Sequence, residues 1–342
     1  MANFLSLLVG QAAAFNAGTS PFDAEQLKRF TAIEARLRER AVVYEPAHVR
    51  ESRVSVLVEA AGAPRPLLRA LDSVAAQSFP NWDVVVVDHG SIPLEPVLRA
   101  HPVWERTSYV RLPTTNTAGA ARNLALRMYR GEYVAFLDPD NRFAPNHLER
   151  AVDAIATTGA LASLAEARLI VERTDGVATR AETVGEVARF SGEEDDVIRL
   201  EVAHTLRLDQ VVLYRGMIDR IGRFNDAVPL LDDWDFLLRL VRATRFAPSG
   251  AVGVDVTVRL GLVAQRLGAT LGHYPAILDA LYAAHPAEPA TVSARVRHRA
   301  EVVNAIGAAN DWLTDPNGVA AFAAVLAGRP VPSPLAPVLQ PA

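Results

Sequence analysis

Glu132-Tyr-Val-Ala-Phe-Leu-Asp138-Pro-Asp140-Asn141 is the stretch on which the reading of this chain turns. Val134 to Leu137 is an uninterrupted apolar run of the kind that forms a strand buried on both faces of a sheet. It stops at two carboxylates separated by one proline. In open α/β sheets ligands sit beyond the carboxyl ends of the strands, and hard divalent cations take oxygen ligands. The acid pair is therefore a candidate cation and phosphate site. Asp, Pro and Asn also favour a plain turn after a strand, so the spacing alone leaves both readings open.

Working outward, the flanking segments alternate between strand and helix patterns. Upstream, Val54-Ser-Val-Leu-Val58 reads as a strand and 66–77 as a helix with Leu67, Leu68, Leu71 and Val74 on one side. A second buried strand, 82–87, ends in Asp88-His89-Gly90-Ser91. A short helix at 93–100, a strand at 108–112 and a helix at 118–130 follow. Downstream, the pattern predicts a helix over 145–157, a strand over 167–171, a polar, acidic loop over 172–200 and a strand over 210–214. A helix begins at Leu230-Leu-Asp232-Asp233-Trp234-Asp235, and 254–258 is a last strand. Such alternation predicts an α/β fold with a mainly parallel central sheet. No Gly-x-Gly-x-x-Gly follows any strand, which disfavours an NAD-type fold.

The ends differ in texture. Residues 22–42 carry Leu27, Phe30, Ile33 and Leu37 at helical spacing, suited to packing on the main domain or on a second protomer. Helices are expected at 276–284, 292–312 and 317–327, and the proline-rich stretch 331–342 reads as a disordered tail. The C-terminal helices suit either an acceptor site or a homodimer contact.

The 342 residues are 50% hydrophobic and 22% charged, with a net charge of −4 and no cysteine. A sizeable core is affordable, and nothing in the charge points to nucleic acid or an anionic membrane as partner. Without cysteine there is no disulfide framework, thiolate catalysis or cysteine zinc site. No apolar run approaches the roughly 20 residues of a transmembrane helix, and a cytoplasmic location is expected. Lys28 is the only lysine, so charge on a bound phosphate must be met by arginine, backbone N–H groups or a metal.

Four constellations carry candidate chemistry. Asp138-Pro-Asp140 is the first; the phosphatase motif of the haloacid dehalogenases also begins Asp-x-Asp but wants a small hydroxyl residue where Arg142 stands. Asp88 and His89 lie at the same end of the sheet, where a carboxylate can accept from a nucleobase imide or a ribose hydroxyl. Gly119-Ala-Ala-Arg122-Asn123 opens a helix whose N-terminus favours anions, with Arg122 one turn in to meet a phosphate or form a salt bridge. In Asp232-Asp233-Trp234-Asp235 one or two acids serve as caps and dipole partners, and Asp235 can pair with Arg239. A third acid is more than capping requires, and beside Trp234 a carboxylate with a raised pKa can act as general base.

Together these blocks resemble the family 2 glycosyltransferases of the GT-A fold. The matching text is Val54-Ser-Val-Leu-Val58, Leu71-Asp-Ser-Val-Ala-Ala-Gln-Ser-Phe-Pro80, Asp83-Val-Val-Val-Val-Asp88-x-Gly-Ser91, Gly119-x-x-Arg122-Asn123, Gly131-Glu-Tyr-Val-Ala-Phe-Leu-Asp138-Pro-Asp140 and Asp232-Asp233-Trp-Asp-Phe-x-x-Arg239. The resemblance implies a GT-A glycosyltransferase domain over 51–262, after an N-terminal helical extension (1–50) and before a helical region (263–330) and the tail (331–342). It implies an inverting single displacement from a nucleotide-diphospho-sugar, a UDP- or dTDP-sugar foremost, with Mg²⁺ or Mn²⁺ as cofactor. Carried over by residue, Asp140 holds the metal with Asp138, which also contacts the donor. Glu59, Asp88, His89, Arg122 and Trp234 fall in the donor-binding segments, and Asp233, with Asp232 before it, deprotonates the acceptor. Two positions depart from the family's pattern. Glu59-Ala60-Ala61-Gly62 stands where a Pro-x-aromatic-Asn segment is usual, and His89 replaces an acid that commonly contacts uracil. The alternative is an inactive GT-A-like nucleotide-binding or scaffold subunit. Processive synthases carry a Gln-x-x-Arg-Trp that is absent here, so a single transfer is expected; the acceptor is not legible.

Overall fold

A computed structural model of the chain describes residues 53–61, 64–112, 117–174, 181–190, 199–228, 230–260, 272–312 and 316–329. The expected helix at 22–42 and the expected tail at 331–342 lie outside them.

The first half alternates as its sequence requires. Strand β1 (Val54–Ala60), helix α1 (Pro64–Ala75), β2 (Trp82–Asp88), α2 (Glu95–Arg99), β3 (Thr107–Arg111), α3 (Ala118–Met128) and β4 (Tyr133–Phe136) follow one another. β1 pairs in parallel with both β2 and β4, and β2 with β3. The valines of β1 and β2 are buried on both faces, as parallel strands covered by helices must be. α1 lays Leu67, Ala70, Leu71 and Val74 on this sheet, one stripe at three- and four-residue spacing. Gly131 lets the chain enter β4 tight against β1. A Cβ there would stand 2.6 Å from Ser55 N and 2.8 Å from Arg53 O.

The second half reverses direction. After β5 (Arg142–Phe143) and α4 (His147–Thr158) come β6 (Ala162–Thr174), β7 (Ala181–Phe190), β8 (Val211–Tyr214), α5 (Gly216–Ile221), α6 (Asp232–Ala243) and β9 (Phe246–Leu260). The strand order is β3-β2-β1-β4-β8-β6-β9-β5, with β7 attached to β6. β8 runs antiparallel to β4 and β6, whereas β6 and β9 are parallel. The expected α/β class with a mainly parallel central sheet flanked by helices is the one observed. The region expected as a loop over 172–200 is different: β6 continues to Thr174 and β7 pairs back on it. Acidic residues interrupt the apolar alternation there, but the pairing is made by backbone groups and does not need it. Helices α7 (Tyr274–Ala284), α8 (Pro289–Trp312) and α9 (Pro316–Leu326) complete the fold, close to their expected positions. Among the described residues no helix is long and apolar enough to cross a membrane.

Candidate functional site

The carboxyl ends of β1 and β4, the turn before β8 and the start of α6 converge on one cavity of about 400 Å³. Glu59, Arg122, Asp138, Asp140, Asp209 and Asp233 form its polar end. β4 and β8 meet in antiparallel register with Ala135 opposite Val212, so the residues just before β8 lie beside those just after β4. That places Asp209 under the acid pair: its Oδ1 accepts from Asp138 N at 2.6 Å. The pair is itself a turn, in which Asp140 N donates to Asp138 Oδ1 at 2.8 Å and Asn141 N to the Asp138 carbonyl at 2.9 Å. Burial first, then the neighbouring Asp209 and Asp140 carboxylates, push the Asp138 carboxyl up to about 7. Burial likewise raises Asp209. Among the described residues no three His, Cys, Asp or Glu side chains are grouped to hold a cation by themselves.

The start of α6 sorts its three acids by rotation, since successive helical residues point about 100° apart. Leu231, with φ 62°, is the one non-glycine residue of positive φ among those described, and it turns the chain sharply into the helix. Asp232 is buried and accepts from Arg122 Nη1 at 2.6 Å. Asp233 faces the cavity. Asp235 accepts from Arg239 Nη2 at 2.7 Å and lies 2.8 Å from His285 Nε2, which fixes α6 against the end of α7. The expected pairing of Asp235 with Arg239 is thus present. Arg122 also lies 3.5 Å from Glu59 and above the Phe224 ring. Burial opposes its charge, but the carboxylates of Asp232, Glu59 and Asp233 outweigh that and hold it protonated. The salt-bridge reading of Arg122 is realised, with its guanidinium still lining the cavity.

Asp233 behaves otherwise than expected beside a tryptophan. Burial raises its carboxyl, but the neighbouring His204 imidazole and the Arg122 and Arg207 guanidiniums outweigh that and hold it well below the usual carboxylate range. His204 Nε2 lies 3.4 Å from Asp233 Oδ2, an ionic contact without hydrogen-bond alignment. Its ring stacks on Trp234, with centroids 5.3 Å apart and planes 1° from parallel. Trp234 is fully buried behind the cavity, donating from Nε1 to the Leu200 carbonyl at 2.8 Å. Asp232, pushed up to about 6 by burial and by Asp233 against the pull of Arg122, is the acid with the raised pKa.

Asp88 and His89 stand outside the cavity lining. Asp88 is completely buried, and its two oxygens accept from Gly90 N, Leu94 N, Tyr109 Oη and Arg111 Nη1 at 2.7–3.0 Å. His89 Nε2 meets Glu59 Oε2 at 2.5 Å. Burial raises Glu59, but the hydrogen bond to His89 and the charge of Arg122 outweigh it and lower the carboxyl overall. His89, Glu59, Arg122 and Asp232 form one chain of contacts ending beside Asp233. His204, Arg207 and Asp209 were not legible as site residues. They reach the site through the antiparallel pairing of β8, which no local spacing announces.

The family model described as glycosyl transferase family 2 matches residues 55–204. The chain is 28% identical over 244 residues to the succinoglycan biosynthesis protein ExoO of Rhizobium meliloti (strain 1021), covering 69% of this chain and 68% of that one. It is 24% identical over 193 residues to the uncharacterized glycosyltransferase YwdF of Bacillus subtilis (strain 168), covering 56% of this chain and 69% of that one. Among solved structures, the mannosyltransferase PcManGT of Pyrobaculum calidifontis in complex with GDP-Man and Mn²⁺ aligns over 98% of this chain and 90% of its own, at 19% identity and a TM-score of 0.49.

Proposed function

Since the chain carries a glycosyl transferase family 2 domain and is a glycosyltransferase, we propose that it moves a sugar from a nucleotide-diphospho-sugar to an acceptor hydroxyl with inversion. The observation that carries this reading is the sharing of one cavity by Asp138, Asp140 and Asp233. Two of these are carboxylates at a strand end, and the third is a carboxylate with no helix-capping partner beyond its own neighbour's N–H.

A divalent cation, Mg²⁺ or Mn²⁺, fits the donor set. Mg²⁺ is commonly held by one or two carboxylates plus substrate phosphates; Asp138 is raised first by burial and then by the neighbouring Asp209 and Asp140 carboxylates, and a cation relieves that second effect. Asp140 and Asp138 would hold it, and it would supply charge neutralisation for the leaving diphosphate. The chain's own residues do the rest. Asp233 accepts the proton of the acceptor hydroxyl as the acceptor oxygen bonds to the anomeric carbon. The bond from that carbon to the diphosphate oxygen breaks, and the diphosphate leaves with the electron pair. With its proton affinity held low, Asp233 stays ionised and orients the hydroxyl, taking the proton late in the step. Arg122 keeps Asp232 from competing for the same hydroxyl. Asp88, its oxygens occupied by its own loop and by Tyr109 and Arg111 of β3, acts on the donor base by shaping that loop.

The test is a thermal-shift and hydrolysis screen of nucleotide sugars with Mn²⁺, run beside Asp140→Ala and Asp233→Asn. One donor should stabilise the protein and be slowly hydrolysed. Asp140→Ala should lose the cation-dependent shift, and Asp233→Asn should keep it while transfer falls by about 10²–10⁴-fold. If no donor binds and EDTA changes nothing, the acids are turns and caps, and a scaffold role replaces catalysis.

A further inference from the structure

The cavity is acidic at one end and apolar at the other. At the apolar end α9 contributes Val319, Phe322, Ala323 and Leu326, positions that form a single stripe of a helix. Opposite stand Leu169 of β6 and Val256 of β9, which are direct partners in parallel register and so share one face of the sheet. The wall is firmly held: Val319 and Phe322 are 3% and 4% exposed, and His204 N donates to the Leu326 carbonyl at the end of the helix. The segment that carries His204, the imidazole beside Asp233, therefore also anchors the apolar wall.

A nucleotide-diphospho-sugar does not suit such a wall. Its phosphates and hydroxyls need charges or hydrogen-bond partners, and burying a polar group without one is unfavourable. Among the described lining residues the only hydroxyl side chain is Thr257, whose Oγ1 is buried and unpartnered beside Val256. The two lining arginines, Arg122 and Arg207, both act on Asp233 at the acidic end. Among the described residues the wall carries no charge to meet a phosphate, so they offer an anionic carrier lipid headgroup no partner either.

Resting on the glycosyltransferase reading, we propose that the acceptor is amphipathic. It is an alcohol or glycoside whose neutral apolar body lies between α9 and the β6–β9 face while its hydroxyl is presented to Asp233. The donor takes the acidic end and the acceptor the apolar one, and the reacting atoms meet at their boundary. Phe322, with Val319 and Leu326 on either side, selects the acceptor by the area it buries, and Ala323 sets how long the apolar body can be.

The experiment is calorimetric titration of the full chain with n-butyl, n-hexyl and n-octyl β-D-glucopyranoside below micelle formation, beside glucose and cellobiose. The dissociation constant should fall about fourfold per added methylene until the wall is filled, with glucose and cellobiose far weaker. Phe322→Gln should flatten that gradient. Ala323→Leu, which fills space without adding a polar group, should end it at a shorter chain. Cellobiose binding better than the octyl glucoside, no dependence on chain length, or a gradient unchanged in both variants overturns the proposal. Donor hydrolysis by the wild-type protein is measured separately. Hydrolysis without a gradient sinks the acceptor assignment alone, whereas a gradient with no nucleotide sugar hydrolysed sinks the reading on which it rests.

Discussion

Two buried histidines make the fold acid-sensitive by an amount that follows from their surroundings. His147 on α4 is 1% exposed, neither ring nitrogen has a hydrogen-bond partner, and the ring packs on Phe143 with centroids 4.4 Å apart. Gly253 makes room for it, since a Cβ there would collide with His147 Nδ1. Burial alone pushes the imidazole down to about 3. An unfolded histidine titrates at about 6.5. Below that pH the unfolded chain takes up a proton that the folded chain refuses, so stability falls as pH falls, and the loss is complete near pH 3. At pH 5 the gap is about 1.5 units, and at about 1.4 kcal/mol per unit the cost is about 2 kcal/mol. His298 on α8, 3% exposed, equally unpartnered and pushed down to about 4, adds a similar amount. Together they remove about 4 kcal/mol from a stability that for most proteins is about 5–15 kcal/mol. Urea unfolding followed by tryptophan fluorescence, at about pH 7.5 and about pH 5, measures the loss in wild type and in His147→Leu. The variant should lose about 2 kcal/mol less. An equal loss in the two proteins would refute the reasoning, because it would mean that the imidazole is hydrated or partnered in the folded state.

Three further outcomes follow from the site and its supports. In His204→Phe the stack on Trp234 is kept while Asp233 loses the imidazole contact that lowers its carboxyl. Its carboxyl should therefore rise, and the acid limb of the transfer rate should move to higher pH; an unmoved profile removes His204 from the site. Asp88→Asn should lower stability by about 2–3 kcal/mol by unbalancing a buried carboxylate with four donors. Denaturant unfolding shows whether it does, and a change in donor affinity with full stability would return Asp88 to direct contact with the base. Gly131→Ala should cost about 3 kcal/mol, because a Cβ there overlaps the backbone of both β1 and β4. A melting temperature like that of wild type would show that the two strands separate at their entry.

The parallel half of the fold was legible because each strand is a buried apolar run ended by a turn or an acid, and each helix has one apolar stripe. Val54–Val58, 82–87 and 133–137 sit where their patterns put them. β7 was not legible, since backbone pairing with β6 holds a stretch whose side chains carry no apolar alternation. The acids of the site were found by type, but their duties depend on distances that only the folded chain fixes. Asp138, Asp140 and Asp233 share the cavity. Asp88, equally placed at a strand end, is closed into its own loop by Leu94 N and Tyr109 Oη. The carboxylate with a raised pKa at the start of α6 is Asp232 and not Asp233, because His204 and Arg207 arrive from a distant part of the sequence. The C-terminal helices were visible by periodicity, but nothing in a stripe of apolar residues says that it faces a cavity.

One turn of α6 touches two separately encoded parts of the chain and the cavity between them. Asp232 grips α3 through Arg122, Asp233 looks into the cavity, and Asp235 grips the end of α7 through His285. Anyone grafting the C-terminal helices of another enzyme onto this one, to change what it glycosylates, would have to transplant the His285 contact with them. Without it the helix that carries Asp233 loses one of its side-chain moorings, and the exchange would also disturb where Asp233 sits in the cavity. Recombination among relatives faces the same constraint, so productive crossovers should fall after the Asp235–His285 pair or before Arg122, and not between them.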